Sequence, residues 1–285
     1  MIDTPPTAAR PALSGLAAAA LLGCTSVTSY PPPEPFPTAA GTPESLRVPA
    51  RGTGPRVHRV RFPLVNAYLV ESIRTGDVII VDTGPPGTAQ RTAAALDDLG
   101  LARDRVSAII LTHAHRDHAG AAPELRRLLN APVLIHALDA PEVRDGWGGP
   151  VRPNTPPAVL GWPFAAGRYP LFEADRTIAD TLRLDEFGVA GEALHTPGHT
   201  DGSLSIVLDS GDAIAGDLLA GALFDPDRPD RAFFHGAAAP TDRIDASLRA
   251  LLDRGATRLF LGHGGPVRAE DVRAFIDRRA VPSTP

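Results

Sequence analysis

The sequence predicts a mixed α/β (α+β) chain in which two β-sheets lie face to face with helices on their outer sides. Three observations carry this expectation: strand-like apolar runs fall into two groups, each group is closed by segments of helical periodicity, and no repeat of short fixed period runs through the chain. With 285 residues and 43% hydrophobic content the chain can bury a sizeable core. The formal net charge is −5 and both signs are interspersed, so nothing favours non-specific attraction to phosphate backbones, and nucleic acid is not an expected partner. A single cysteine excludes an intrachain disulfide framework.

The first elements are not part of the compact pattern. Ala12 to Gly23, ALSGLAAAALLG, is an apolar run with the length of a signal-peptide core, too short to span a bilayer comfortably, and Cys24 follows it directly. Leu21-Leu22-Gly23-Cys24 resembles the lipobox of bacterial lipoproteins. That resemblance implies cleavage before Cys24, acylation of Cys24, and export with a lipid anchor to the outer face of the bacterial cell membrane; simple secretion is the alternative. Residues 25–55 are rich in Pro, Ser and Thr and have no periodicity that could bury a face, so they are expected to be a tether. The chain thus divides into a signal segment (1–24), a tether (25–55) and one enzyme-sized domain (56–285).

Within that domain, Val57 to Phe62, Asn66 to Ser72 and Val78 to Asp82 alternate as strands of a meander, with RTGD turning between the second and third. Thr88 to Gly100 places Ala93, Leu96 and Leu99 at helical spacing and ends on a glycine. Val106 to Leu111 is again strand-like, Ala119 to Leu129 helical, and Pro132 to His136 strand-like. A hairpin is expected in residues 177–194, then strands at Leu204 to Leu208 and Ala213 to Gly216 around the turn DSGD. A helix over Thr241 to Arg254, a strand over Arg258 to Leu261 and a last helix over Ala269 to Arg279 complete the pattern.

The chemistry concentrates in Leu111 to Gly120, LTHAHRDHAG, which puts three histidines and an aspartate within six positions at the end of an apolar strand. Neutral imidazole and carboxylate are the ligands zinc prefers outside all-cysteine sites. In extended backbone His113 and His115 point to the same side, because side chains alternate with period two, so two nitrogens can grip one ion. A turn just after them would aim Asp117 and His118 at a neighbouring position. Such a set needs more donors, and three stand downstream where apolar runs meet Gly-containing loops: His199 in HTPGHTDG, Asp217 ending AIAGD, and His263 in RLFLGHGG.

Five stretches therefore occur in order: VDTG at 81–84, THAHRDH at 112–118, TPGHT at 196–200, GD at 216–217 and GHG at 262–264. Through them the chain resembles the metallo-β-lactamase-fold superfamily of metallohydrolases, of the dinuclear type with a bridging Asp, over residues 56–280. The resemblance implies a four-layer αββα sandwich of two mixed β-sheets flanked by helices. It implies one metal held by His113, His115 and His199, a second by Asp117, His118 and His263, and Asp217 shared between them. Asp82 would support the ligand loops without ligating. Two divalent ions are implied, Zn²⁺ first, with Mn²⁺ or Fe²⁺ as alternatives, together with a shared water made nucleophilic at neutral pH. Asp117 would be the catalytic side chain that orients this water and takes its proton.

Asp at the shared position is typical of thioester, lactone and phosphodiester hydrolases of that superfamily, whereas its zinc β-lactamases usually carry Cys there or lack the bridge. The Tyr that relatives cleaving acyl-homoserine lactones carry after this Asp is not found in DLLAGALF. The expectation is a hydrolase of a small organic ester, thioester, lactone or related bond. Alternatives are a mononuclear-iron redox enzyme similar to persulfide dioxygenases, a β-lactam hydrolase, and a non-catalytic metal-binding lipoprotein. Residues 139–172 hold both tryptophans among Pro/Gly clusters, and Trp147, Trp162, Phe164 and Tyr169 are expected to wall the substrate pocket; a structural flap is the alternative.

Overall fold

The computed structural model describes residues 27–30, 54–149, 151–153, 167–222, 225–230, 234–235 and 241–280. In chain order the first elements are β1 (Val27–Tyr30), β2 (Arg56–Arg61), β3 (Asn66–Glu71), β4 (Val78–Val81), α1 (Ala89–Asp98), β5 (Val106–Ile110), α2 (Arg116–Ala119), α3 (Ala122–Leu129), β6 (Val133–His136) and α4 (Ala140–Asp145). There follow β7 (Arg152–Pro153), β8 (Arg176–Ile178), β9 (Thr181–Arg183), β10 (Gly191–His195), β11 (Leu204–Leu208), β12 (Asp212–Ile214), β13 (Ala220–Ala222), β14 (Asp225–Asp230) and β15 (Phe234–His235). The chain closes with α5 (Thr241–Asp253), β16 (Arg258–Phe260), β17 (Val267–Arg268) and α6 (Ala269–Ala280).

Two mixed sheets form the centre. One has the order β1-β2-β3-β4-β5-β6-β8 and the other β17-β16-β12-β11-β10-β9. The runs VIIV and VSAII are apolar nearly throughout because both of their faces are covered. Ile79, Val81, Ala108 and Ile110 face the second sheet and meet Ile206, Ile214 and Phe260, while Val78, Ile80, Ile109 and Leu111 face outward onto Leu96 of α1 and Leu125 of α3. Behind the second sheet, Leu194, Val207, Ala213 and Leu259 pack on Ile244, Leu248 and Leu251 of α5 and on Val272 and Ile276 of α6. Each fully buried Ile, Leu or Val side chain contributes about 1.5–3 kcal/mol through removal of apolar surface from water. The result is the four-layer αββα sandwich, with an apolar core between each pair of layers.

Three expectations are corrected. The residues expected as one hairpin over 177–194 divide between the sheets: β8 runs parallel to β6, and only β9 pairs antiparallel with β10. The helix expected over Ala119 to Leu129 is two helices, α2 and α3, and Pro123 sits in the first turn of the second, where its missing N–H costs nothing. Finally, the expected tether contains a strand. Val27 to Tyr30 pair antiparallel with Val60 to Val57 and extend the first sheet by one strand. A four-residue Val-Thr-Ser-Tyr segment suits a strand by composition, but its partner is the backbone edge of β2, which a local pattern does not reveal. Among the described residues no helix is long and apolar enough to cross a membrane.

The strand at residues 27–30 has a measurable consequence. Deleting residues 1–26 should leave thermal unfolding unchanged, whereas deleting residues 1–50 removes β1, uncovers the edge of β2, and should lower the melting temperature by about 3–6 °C, or about 1–2 kcal/mol. Equal melting temperatures for the two truncations would contradict the pairing of β1 with β2.

Candidate metal centre

All seven expected ligands gather on one rim, where strands give way to loops. His113 and His115 follow β5 in extended backbone, and His115 (φ −60°, ψ 149°) is the N-cap of α2, which carries Asp117 and His118. His199 lies between β10 and β11, Asp217 shortly after β12, and His263 shortly after β16. β12 and β16 are parallel neighbours with Ile214 opposite Phe260, so Asp217 and His263 leave the sheet side by side. Arg258 locks this register through Asp212, with Nε 2.8 Å from Oδ1 and Nη2 2.9 Å from Oδ2.

The donor atoms form two groups that meet at one carboxylate. His115 Nδ1 is 3.1 Å from His113 Nε2 and 2.9 Å from His199 Nε2. Ligands about 2.0–2.1 Å from a tetrahedral zinc ion lie about 3.3–3.4 Å from one another, so this spacing is near that of a ligand face. In the second group Asp117 Oδ2 is 3.4 Å from His263 Nε2 and 3.9 Å from His118 Nε2. Asp217 touches both: Oδ2 is 3.2 Å from His263 Nε2, 3.5 Å from His199 Nε2 and 4.0 Å from His113 Nε2, and Oδ1 is 3.5 Å from His118 Nε2. His118 Nε2 and Asp217 Oδ1 are buried without a hydrogen-bond partner among the described residues. Buried polar atoms left in this way are costly unless something binds them, and imidazole nitrogen facing carboxylate oxygen is the donor chemistry of a divalent cation.

The electrostatics of the two groups differ. Burial, reinforced by the neighbouring imidazoles, holds His113 well below the ordinary histidine range. Burial holds His115 at about 4 although Asp117 and Asp217 oppose it. Both rings are therefore neutral at pH 7, the form that ligates. At His118 burial is outweighed by Asp217, Asp82 and Asp117, which hold the ring well above its usual value. At His263 burial is outweighed in the same way by Asp217 and Asp117, which raise it to about 10. Asp117 and Asp217 lie well below the carboxylate range, because His118 and His263 overcome the cost of burying them. Without a cation, the second group is held together by protons.

Supporting residues fix which nitrogen faces inward. Asp82 adopts a left-handed φ of 62°, unusual for a residue with a side chain, and its carboxylate accepts from Thr112 N at 2.8 Å, Thr112 Oγ1 at 2.8 Å and His118 Nδ1 at 2.8 Å. Thr112 Oγ1 in turn stands 3.0 Å from His113 Nδ1. His118 and His113 thus donate outward and turn Nε2 toward the cluster. His263 does the same through Nδ1 to the carbonyl of Leu64. Asn66 Nδ2 donates to the carbonyls of Leu261 and Gly264, each at 2.9 Å, and Tyr68 Oη donates to Leu261 O at 2.6 Å, so the turn bearing His263 is fastened to β3. Thr112, Asn66, Tyr68 and Leu64 were not singled out from sequence; a polar Asn opening the apolar run NAYLV was the available signal.

The expected pocket wall fares less evenly. Trp147 is half exposed, and Gly148 beside it packs on the backbone of Ala114 and His115, so this ring stands at the edge of the centre. Tyr169 is buried and donates from Oη to Ala114 O at 2.6 Å, which makes it a brace behind the ligand loop and not a wall. Trp162 and Phe164 lie outside the described residues.

A fold of this class with a rim of clustered histidines and carboxylates defines a candidate metal-binding protein, and comparison with known proteins identifies its family. The sequence model of the metallo-β-lactamase superfamily matches residues 60–263, and the chain belongs to that superfamily. YobT of Bacillus subtilis (strain 168) is 30% identical over 225 residues, 74% of this chain and 88% of its own length. YflN of the same organism, described as a probable metallo-hydrolase, is 25% identical over 248 residues, 79% of this chain and 89% of its own length. An Aquifex aeolicus (strain VF5) protein is 32% identical over 161 residues, which span 54% of this chain and 65%, less than two thirds, of that protein. Among solved structures, TTHA1623 in a di-iron-bound form superposes with a TM-score of 0.53 at 28% identity, over 79% of this chain and 98% of that one.

Two measurements follow. A Cβ on Gly262 would lie 2.0 Å from Asp217 Oδ1 and 2.6 Å from His118 Cε1. Gly262→Ala should therefore displace the shared carboxylate and weaken metal uptake by tenfold or more, by the order expected for disturbed ligand positioning, while the metal-free protein still folds; unchanged uptake in a titration would refute this. Protons raised onto His118 and His263 must leave when a cation enters, so metal binding at pH 7 should release protons to an indicator dye, and the apparent affinity of that group should rise with pH up to about 10, the value at His263. Uptake without proton release would contradict the assignment.

Proposed function

We propose that this chain is a hydrolase of small organic esters, thioesters, lactones or related bonds that works with two divalent cations. One would be held by His113, His115 and His199, the other by Asp117, His118 and His263, with Asp217 shared. The observation that carries this reading is the convergence of both groups on the Asp217 carboxylate, whose Oδ1 has no hydrogen-bond partner among the described residues. When bound, two such cations would supply a water that is deprotonated near neutral pH and positive charge for the oxygen that becomes negative during cleavage. Neutral His113 and His115 offer lone pairs at pH 7, Asp217 keeps both groups in one place, and Asp117, ionised and partly exposed, can orient the attacking water and accept its proton. The di-iron form of TTHA1623 supports a pair of metals, and zinc, manganese and iron are all compatible with these donors.

The substrate reading rests on the rim. Leu64, 71% exposed, stands beside His263, and Trp147, 47% exposed, stands beside the His115 loop, so apolar surface borders the centre on two sides. This favours a substrate with an apolar group next to the bond that is cut. Export with a lipid anchor at Cys24 belongs to the same proposal; Cys24→Ser should abolish incorporation of labelled fatty acid in a bacterial host.

The test is turnover of a mixed panel of an ester, a lactone, a thioester, a phosphodiester and a β-lactam by protein loaded with zinc or manganese. Elemental analysis should approach two ions per chain. Asp117→Asn should lower turnover of every substrate by about 10²-fold or more, since it keeps the shape but loses the base. Trp147→Ala and Leu64→Ala should selectively impair substrates with apolar groups. A stoichiometry that stays near one under excess metal, or oxygen consumption in place of hydrolysis, would overturn the proposal.

A further inference from the structure

We propose that Asp139 is the positioning residue of the three-histidine pocket: one buried carboxylate that sets the backbone beside His113, His115 and His199. It rests on the two-cation reading above. Asp139 follows β6, stands at the N-cap position of α4 without a side-chain bond to that helix, and is buried with 2% of its surface exposed. Its Oδ2 accepts from Ala114 N at 3.1 Å and from Thr200 Oγ1 at 2.9 Å, and its Oδ1 accepts from Gly202 N at 2.8 Å. Ala114 separates His113 from His115, and Thr200 follows His199. The side chain therefore bonds next to every member of the pocket without touching the cluster itself.

The chemistry of these contacts requires a carboxylate. Two backbone N–H groups and one hydroxyl converge on it, and only a side chain that accepts on both oxygens satisfies all three. An amide would turn an NH₂ group toward one of these donors. The fit is also close, because a Cβ on Gly202 would lie 2.3 Å from Asp139 Oδ1. On its other side the Ala114 peptide is gripped by Tyr169, whose Oη donates to the carbonyl at 2.6 Å. Ala114 thus has its N–H, in the peptide after His113, bonded by Asp139 and its C=O, in the peptide before His115, bonded by Tyr169, so each of the two peptides between the ligands is held by one hydrogen bond. Ser203 completes the arrangement from the opposite loop: its Oγ accepts from Thr200 N at 2.9 Å and stands 2.9 Å from Thr200 Oγ1.

The two loops that Asp139 joins come from different sheets, His113 and His115 from the end of β5 and His199 from the link between β10 and β11. A backbone bond from Leu204 N to Thr112 O at 2.7 Å already holds those sheets together nearby. What Asp139 adds is the aim of the ligands. Asp82 acts differently: it bonds a ligand ring directly at His118 and reaches His113 only through the Thr112 hydroxyl, with no bond to the loop of His199.

The experiment is a titration of metal-free full-length protein with Zn²⁺, and separately with Co²⁺ while the visible d–d bands are recorded. His199→Ala identifies the binding step of the three-histidine pocket and His263→Ala identifies the other. Asp139→Asn should weaken the first step by about 10- to 100-fold, the range for residues that orient metal ligands, shift the Co²⁺ bands of that site, and leave the second step within about twofold. Thr200→Val, which removes one of the three contacts, should act in the same direction and less. Melting temperatures of the metal-free variants show that each is folded. Wild-type affinities and unchanged Co²⁺ bands in Asp139→Asn would overturn the role of Asp139 while leaving the two-cation reading intact. If His199→Ala removes no binding step from the wild-type pattern, the two-cation reading fails and the role of Asp139 fails with it.

Discussion

The Asp217 carboxylate is the constraint on which the rest of the rim depends. It is buried, it lies within 4.0 Å of nitrogens from His113, His118, His199 and His263, and one of its oxygens has no hydrogen-bond partner among the described residues. A carboxylate in that position is costly unless positive charge is brought to it from several sides. Each nearby feature meets that demand. The parallel pairing of β12 with β16 delivers Asp217 and His263 together, the last turn before His263 is a glycine because no side-chain atom fits beside Oδ1, and His118 is aimed inward by Asp82.

The two ligand groups solve the same problem in opposite ways. His113 and His115 are kept neutral by burial, and their facing ring nitrogens stand at a separation near that of two ligands of one cation. His118 and His263 sit among Asp82, Asp117 and Asp217 and hold protons in place of a cation. The second group therefore sets imidazole rings of raised basicity against carboxylates and still leaves His118 Nε2 and Asp217 Oδ1 without a hydrogen bond among the described residues, whereas the first is pre-shaped by burial. Both sides are braced from outside: the two peptides that meet at Ala114 are bonded by Asp139 and Tyr169 while Thr200 and Gly202 are bound across from the opposite sheet, and on the other side Asn66 and Tyr68 fasten the turn that carries His263. Where mutual attraction does not hold ligands together, hydrogen bonds to their backbone must.

How much of this was legible in the sequence follows from the range of each signal. The runs VIIV and VSAII, and the histidines that follow the second, are local: apolar residues buried on both faces and ligands two to five positions apart can be read within one window. The positions of His199, Asp217 and His263 could be read because each ends an apolar run on a glycine-containing loop. The supporting residues could not. Asn66, Tyr68 and Asp139 act on backbone carbonyls and amides far along the chain, and nothing in their own neighbourhoods distinguishes them from surface polar residues. β1 escaped for the same reason, since its four residues gain their conformation from the edge of β2. Residues 176–183 escaped because two short strands joined by a tight link look like one arm of a hairpin whether or not the chain changes sheets between them.

Tyr169 shows where inference from composition overreaches. An aromatic residue in a long Pro/Gly-rich loop suggests a binding wall, yet this one spends its hydroxyl on Ala114 and its ring on the core behind the ligand loop. Trp147 and Leu64 have the opposite character: neither is buried, and each adjoins a ligand loop from the solvent side. The division has a physical basis. Side chains that fix ligand geometry must have their own rotamers locked by burial and hydrogen bonds, while side chains that meet a substrate must stay open to solvent until it arrives. In this chain the first kind comes from strand ends and from residues braced against them, and the second from loops alone. The metal-binding geometry is therefore carried by the rigid rim. On the proposed reading, the choice of substrate falls to exposed apolar residues of these loops, whose side chains take no part in the ligand set.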